Sequence, residues 1–461
     1  MAKGRPQLKL LVLLAVGLRP RDLARAPRIA AVAERGFAAP LVPVLPALTC
    51  SVQATFLTGT PPSSHGIVAN GWYFRDLAQV MMWRQSNGLV AGEKLYETAS
   101  RRDPSFTCAK LFWWYNMYAA VKWCVTPRPE YYANGLKRPG LYSEPPELAR
   151  TLEAQRGGFP LFNFWGPAAD IRSTRWIVDA SIDVIAAHDP SLLLAYLPHL
   201  DYDHQRFGPD GARAQAAVGD LDREAGRLID AAMARGAAVV VLSEYGIEAV
   251  REPIYVNRWL HERGYLRVQE TSHGQLLDCG ASRAFAVADH QIAHVYVREV
   301  ADIAPLQREL SARSGVAQVL DRSAQRAHAI DHPRSGELVL VAAPGCWFAY
   351  HYWLDESRRP DFATTVDIHR KPGYDPTELF IDPQLKFPRA RVAATLLKKS
   401  LGFRYLMNVI GTDASIVRGS HGRLFENPDA GPVFICSEPD APASRVNALD
   451  VRERLLRLVF R

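Results

Sequence analysis

The chain has 461 residues, 48% of them hydrophobic and 22% charged, ordinary globular values that exclude a disordered or fibrous protein. Its formal net charge of +7 comes mainly from scattered arginines, which favours a small anionic substrate or mild nonspecific attraction over a dedicated nucleic-acid groove. The six cysteines, Cys50, Cys108, Cys124, Cys279, Cys346 and Cys436, form no CxxC pair, so the chain reads as a reduced, cytoplasmic protein without a zinc ribbon or disulfide scaffold.

Lys3, Arg5 and Lys9 precede the run LLVLLAVGL, as in a signal peptide. The run is short for that role and exits through Gly17-Leu18-Arg19-Pro20, so Leu10 to Val16 reads as a buried parallel strand. No stretch approaches the length of a membrane span. Asp22 to Arg35 has helical apolar spacing and Gly36 stops it. Strand, turn and helix together open a βα unit, which predicts an α/β fold: a mainly parallel central sheet with helices on both faces.

Val42 to Tyr73 follows, a Pro-bounded loop leading into the small-residue helix Thr49 to Thr58 and closing on a Gly/Pro turn that carries Asn70. A hydroxyl at a helix N-terminus sits beside unpaired N–H groups and the positive end of the dipole, where a phosphate is welcome. Thr49 is therefore the candidate nucleophile of a phosphoryl-transfer site, with Asn70 returning to the same pocket. The plain alternative is an N-cap threonine opening an ordinary helix.

Trp72 and Tyr73 begin an aromatic, mixed-charge stretch, and LFWWYNMY from Leu111 concentrates Trp113, Trp114 and Tyr115 in one run. Such residues either pack inward or wall a pocket for an apolar or ring-bearing leaving group. Pro127 to Pro160 is a Pro-, Tyr- and Gly-rich surface excursion, and Arg175 to Ala187 is helical. Ser191 to Leu197 and Ala237 to Leu242 are apolar strands, separated by the helix Ala212 to Arg235. Their C-terminal ends carry PHLDYDHQRFGPD and Ser243-Glu244-Tyr245-Gly246, where ligands of open α/β sheets lie.

From Ala281 the pattern changes. AFAVADHQIAHVYV reads as one strand, Ala304 to Ser314 as a helix and VAQVL as a strand, which together predict a small α/β cap insertion. The expected units are a first core segment over 1–275, the cap over 276–385 and a return to the core over 386–461. His290 and His294, four apart in the expected strand, would share one sheet face as core or rim residues. His369, with Asp367 and Lys371, either faces an anionic substrate from the cap or lies on a solvated loop. A basic helical stretch then leads to Gly419-Ser420-His421-Gly422, a strand GPVFI and a final helix from Asp450 to Arg461.

Pro46-Ala47-Leu48-Thr49, Thr58-Gly59-Thr60-Pro61-Pro62-Ser63-Ser64-His65-Gly66-Ile67 and Asn70 together resemble the nucleophile loop of the type I phosphodiesterase and nucleotide pyrophosphatase branch of the alkaline phosphatase superfamily. The resemblance is strongest over Leu11 to Tyr73 and returns at Leu197 to Pro209, Ala237 to Ile247 and Gly419 to Arg423. It implies a two-metal site, usually zinc, that activates the threonine for covalent phosphoryl transfer while the asparagine and main-chain amides hold the developing charge. Thr49 and Asn70 stand at those positions.

The metal ligands depart from the family pattern. Val16 stands for the first Asp, Gln205 for a His with His204 one place early, and Glu244-Tyr245 for Asp-His. Asp201 and His421 match, so two of six side-chain ligands survive. Asp201, Glu244, His421 and His204 could form one site for zinc or another divalent metal, with one ion or none bound; as ordinary residues they accept hydrogen bonds at strand ends or pack in the core.

The expected function is thus hydrolysis of a phosphodiester, pyrophosphate or related phosphoryl ester through Thr49. The alternative is a repurposed member that binds an anionic ligand without hydrolysing it. A third reading makes the aromatic run and the cap a site for a lipid phosphate.

Overall fold

The computed structural model describes residues 7–133, 137–403, 405–439 and 444–461. Two sheets organise it. The larger is built from β1 (Leu10–Ala15), β2 (Phe37–Val42), β3 (Cys108–Leu111), β4 (Trp123–Pro127), β5 (Leu141–Glu144), β6 (Leu192–Leu197) and β7 (Ala238–Leu242). The smaller follows with β8 (Ala284–Asp289), β9 (Ile292–Val297), β10 (Val316–Leu320) and β11 (Leu338–Ala342), before β12 (Val433–Cys436) and β13 (Val446–Asn447) rejoin the first.

In the large sheet the order is β13-β2-β12-β7-β1-β6-β3-β4-β5. β1 pairs in parallel with both β6 and β7, and β6 with β3, so the centre is parallel and antiparallel pairs occur only toward the two flanks. Residues 10–15 and 192–197 are buried without interruption, as expected of strands covered on both faces. Among the helices are α1 (Pro27–Arg35), α2 (Thr49–Thr58), α3 (Ile171–His188), α4 (His199–Phe207), α5 (Ala212–Met233), α6 (Pro388–Ser400) and α7 (Val451–Val459). α1, α3 and α5 pack together as one layer, and α2 with α7 as another.

Three local expectations change. The helix expected over Asp22 to Arg35 is a 3-10 turn, Pro20–Arg25, followed by α1, because Pro27 lacks an N–H and starts a helix rather than continuing one. AFAVADHQIAHVYV forms the antiparallel hairpin β8-β9 and not a single strand; His290 sits at its turn with φ 59°. Trp72 to Arg84 contributes a second hairpin, Gly71–Phe74 with Gln79–Met82.

The strand ends that face the site are tied together by Ser243. Its hydroxyl donates to the Leu18 carbonyl at 2.6 Å and accepts from Val433 N–H at 3.0 Å, clamping β7 to the loop after β1 and to β12. Three residues on, a Cβ at Gly246 would lie 1.8 Å from the Ala430 carbonyl oxygen. Gly246→Ala is therefore expected to cost about 1–3 kcal/mol through backbone displacement, read as a lower urea midpoint at unchanged m value.

Candidate active site

Beyond the C-terminal ends of β1, β6 and β7 lies a cleft of about 900 Å3, its open mouth included. Thr49, Asp201, Tyr245, His290 and His421 line it together with the aromatic residues Trp83, Phe112, Trp114, Trp165 and Tyr374. No lysine or arginine is among the lining residues.

Thr49 is the first residue of α2, reached through the tight Pro46-Ala47-Leu48 approach in which Leu48 N–H bonds the Pro46 carbonyl. Its hydroxyl lies 3.0 Å from the Tyr245 hydroxyl. Asn70 is buried behind it: its side-chain oxygen accepts from Cys50 N–H at 3.0 Å in the first turn of α2, and its side-chain nitrogen donates to Asp289 at 3.1 Å. Asp289 also accepts from Asn70 N–H at 2.8 Å. The hairpin β8-β9 thus braces the nucleophile turn from the other sheet.

Four rings stack across the floor. Tyr374 lies on His290 at 3.6 Å between centroids, His290 on His421 at 3.9 Å, and His421 on Tyr245 at 3.4 Å with the planes 6° apart. His421 Nδ1 sits 3.0 Å from the Ala47 carbonyl oxygen, which can only accept, so Nδ1 carries the proton. Burial holds His421 well below its usual pKa, leaving Nε2 as an unprotonated lone pair with no hydrogen-bond partner. His290 is held low by burial as well; its Nδ1 meets the Asp289 carboxyl at 2.7 Å and its Nε2 is unpartnered. Two neutral imidazoles thus lie side by side in the cleft.

The carboxyl groups nearby are buried in apolar surroundings that penalise their charged form. Burial pushes Asp201 up to about 7, Asp289 up to about 7 and Glu244 up to about 8. Glu244 accepts from the Gln53 side chain at 3.0 Å, and Gln53 in turn accepts from Trp114 N–H at 2.9 Å; Glu244 is not a lining residue.

The residues singled out in the sequence distribute unevenly. Thr49, Asp201, His421, Trp114 and His369 line the cleft. Trp72 and Tyr115 are buried in a separate apolar cluster against α2, and Trp113 lies in the main core. Tyr73 packs edge-on against Phe285 and Tyr296 of the small sheet. His204, on the same helix as Asp201, is buried near Gly17, with neither ring nitrogen partnered. Lys371 does not face the cleft: it is buried against Asp375 and Glu378 at 2.7 Å each. His290, Trp83, Trp165 and Tyr374 are lining residues that the sequence reading did not select for the cleft. A single strand was expected where the hairpin turn places His290, and an unperiodic, Pro-rich stretch carries Tyr374.

The family model for type I phosphodiesterase / nucleotide pyrophosphatase matches residues 10–375, and the chain belongs to that family. An uncharacterized pyrophosphatase/phosphodiesterase of Schizosaccharomyces pombe is 26% identical over 226 residues, 48% of this chain; the match spans 40% of that relative's length. The fold is shared with phosphonoacetate hydrolase from Sinorhizobium meliloti, solved with phosphonoformate (TM-score 0.60, 14% identity, 100% of this chain and 98% of that one). It is shared equally with murine ectonucleotide pyrophosphatase / phosphodiesterase 5 (TM-score 0.59, 15% identity, 98% and 95%). An inactive Thr-to-Ala form of that murine protein was solved with AMP.

Members of this family typically depend on divalent metals. The side chains present here do not fit a two-metal site. Val16 has no donor atom and is buried in the core. The Gln205 carbonyl oxygen accepts from the Tyr374 hydroxyl at 2.8 Å, and Tyr245 lies flat on His421. Asp201 lies 3.9 Å from His421, and the His290 ring is stacked on His421 at 3.9 Å, so these lining donors do not supply the two separate sets of three or four that two zinc ions take. Among the described residues no three His, Cys, Asp or Glu side chains group as a metal site.

Proposed function

We propose that the chain is a phosphodiesterase/pyrophosphatase-like hydrolase in which Thr49 attacks a phosphoryl ester without a two-metal site. The observation that carries this reading is the Thr49 hydroxyl at the start of α2, open to the cleft and hydrogen-bonded to Tyr245. In the step, a bond forms from Thr49 Oγ1 to phosphorus as the bond from phosphorus to the leaving oxygen breaks. The first-turn amides of α2 are the groups that receive the equatorial oxygens, and Asn70, its side-chain oxygen on Cys50 N–H and its nitrogen on Asp289, holds that turn in place. Tyr245 orients the attacking hydroxyl, and Asp201, a lining carboxyl that burial holds at about 7, is the base for its proton; water then breaks the Oγ1–phosphorus bond and returns Thr49 to its hydroxyl form. Trp83 and Trp114, with centroids 4.9 Å apart, form a wall suited to a ring-bearing leaving group such as a nucleoside.

The residues at the family's ligand positions favour a second reading, binding of a phosphoryl ligand without turnover. With Val16, Gln205 and Tyr245 in place and no lysine or arginine lining the cleft among the described residues, an anion meets only the first-turn amides of α2. The two readings part on a bis-nitrophenyl phosphate assay run with elemental analysis and titration of AMP. Turnover that survives chelator and gains nothing from zinc or manganese is the expected result. AMP binding with no turnover under any metal condition replaces the hydrolase reading by the binding one. Stoichiometric tightly bound metal and metal-dependent turnover overturn the metal-free mechanism.

A further inference from the structure

Between Asp382 and Asp413 the chain carries Lys386, Arg389, Arg391, Lys398, Lys399 and Arg404 and no acidic residue. Six positive charges in thirty residues nearly equal the +7 of the whole chain. The same segment concentrates exposed apolar side chains: Phe387 is 81% exposed, Leu397 60%, Leu401 65% and Phe403 65%, with Leu396 and Leu406 also open to solvent. Elsewhere exposed large apolar residues occur singly or in pairs. A contiguous patch of this kind marks an interaction surface.

Its helical part is α6, which starts on Pro388. Arg391 and Lys398, seven residues apart, share one side of the helix, while Ala390, Ala393 and Leu397 share the other. Cations beside an apolar stripe, continued by Leu401 and Phe403, are the composition of a helix lying in a membrane interface. Four of the six exposed apolar side chains, Leu396, Leu397, Leu401 and Leu406, are aliphatic, whereas nucleic-acid bases stack on aromatic rings. An anionic leaflet satisfies both features at once, the cations at its phosphates and the apolar side chains among its acyl chains.

The excursion is pinned at its base to the segment that carries the cleft rim. Asp382 N–H bonds the Val409 carbonyl at 2.8 Å, Ile410 N–H bonds the Thr364 carbonyl at 3.2 Å, and the Thr364 hydroxyl bonds Asn408 at 3.0 Å. Thr364 leads directly into 365–379, which supplies Ile368, His369 and Tyr374 to the cleft.

We propose that residues 383–403 and 405–407 dock the protein on an anionic membrane surface, through α6 and the apolar side chains on either side of it. The proposal does not depend on whether Thr49 is catalytic. It is tested by co-sedimenting the full chain with phosphatidylcholine vesicles containing about a third phosphatidylglycerol, and with phosphatidylcholine alone.

Each surface cation strengthens partition about fivefold, so the triple variant Arg389→Glu, Arg391→Glu, Lys398→Glu is expected to bind the anionic vesicles at least about a hundredfold more weakly. Leu397→Ser with Phe403→Ser is expected to weaken binding while melting as the parent does, since both side chains are exposed. High salt should reduce the binding that remains. Equal sedimentation with neutral and anionic vesicles, no sedimentation with either, or a stable dimer that buries the patch each overturns the proposal.

Discussion

Thr49→Ala is expected to reduce phosphodiester turnover by at least about a thousandfold, because the atom that bonds to phosphorus is removed while the cleft around it remains. The loss falls on kcat, since the aromatic walls and the α2 amides still receive substrate. Thr49→Ser keeps a hydroxyl at the same helix position and is expected to retain turnover within about tenfold. Tyr245 loses its hydrogen-bond partner in the alanine variant, which costs about 1–3 kcal/mol for a buried polar group, so melting curves accompany the kinetics. Unchanged turnover in a folded Thr49→Ala protein would sink the proposed mechanism.

The second large effect concerns the buried group behind the cleft wall. Lys371 is 1% exposed and meets Asp375 and Glu378, both also buried. Burial opposes the charge on Asp375, but Lys371 outweighs it and holds that carboxyl below its usual range. Burial also raises Glu378, and Lys371 offsets this only in part. Lys371→Met leaves two carboxyl groups together in the core, and a cost of about 3–5 kcal/mol follows from the unpaired charge.

The pH dependence of that cost has a defined sign. Without the lysine both carboxyl groups bind protons more tightly in the folded state than in the unfolded one, so the variant loses stability as pH rises above the ordinary carboxylate range. Urea titration at pH 5 and pH 8 should show the larger deficit at pH 8. A deficit of the opposite order, or none, would remove the ion group from the account of this region. Glu378 also accepts from Trp165 Nε1 at 2.6 Å and from Asp367 N–H at 2.9 Å, so the variant should raise KM as the wall residues Trp165 and Tyr374 lose their brace.

The central strands and the nucleophile loop were legible because local signals and global fold agree there. Leu10 to Ala15 and Leu192 to Leu197 are uninterrupted apolar runs followed by turns, and Thr49 to Thr58 starts and stops at its motif boundaries. The expected helices at Ala212 and near the C-terminus differ by a few residues at their ends, where periodicity carries little information.

The cleft was harder to read, because its walls come from segments without a period. Tyr374 and His369 lie in a region of 3-10 turns and bends, and Trp83 follows a hairpin at φ 60°. Spacing also cannot tell which member of an aromatic run points where. In LFWWYNMY the positive φ values at Phe112, Tyr115 and Tyr118 turn Phe112 and Trp114 to the cleft while Trp113 goes to the core. The substitution Tyr245 was legible as the loss of a donor, but not as the ring that would stack on His421.

That stack limits what a single substitution can do. Tyr245→His would supply one donor type, yet Val16 and Gln205 would still offer none and Thr49 would lose its phenolic partner. Gln205→His would give up the hydrogen bond from the Tyr374 hydroxyl. Each such change taken alone forfeits a contact the present site uses and completes no ion-binding set, so a metal site can be installed here only by several substitutions made together.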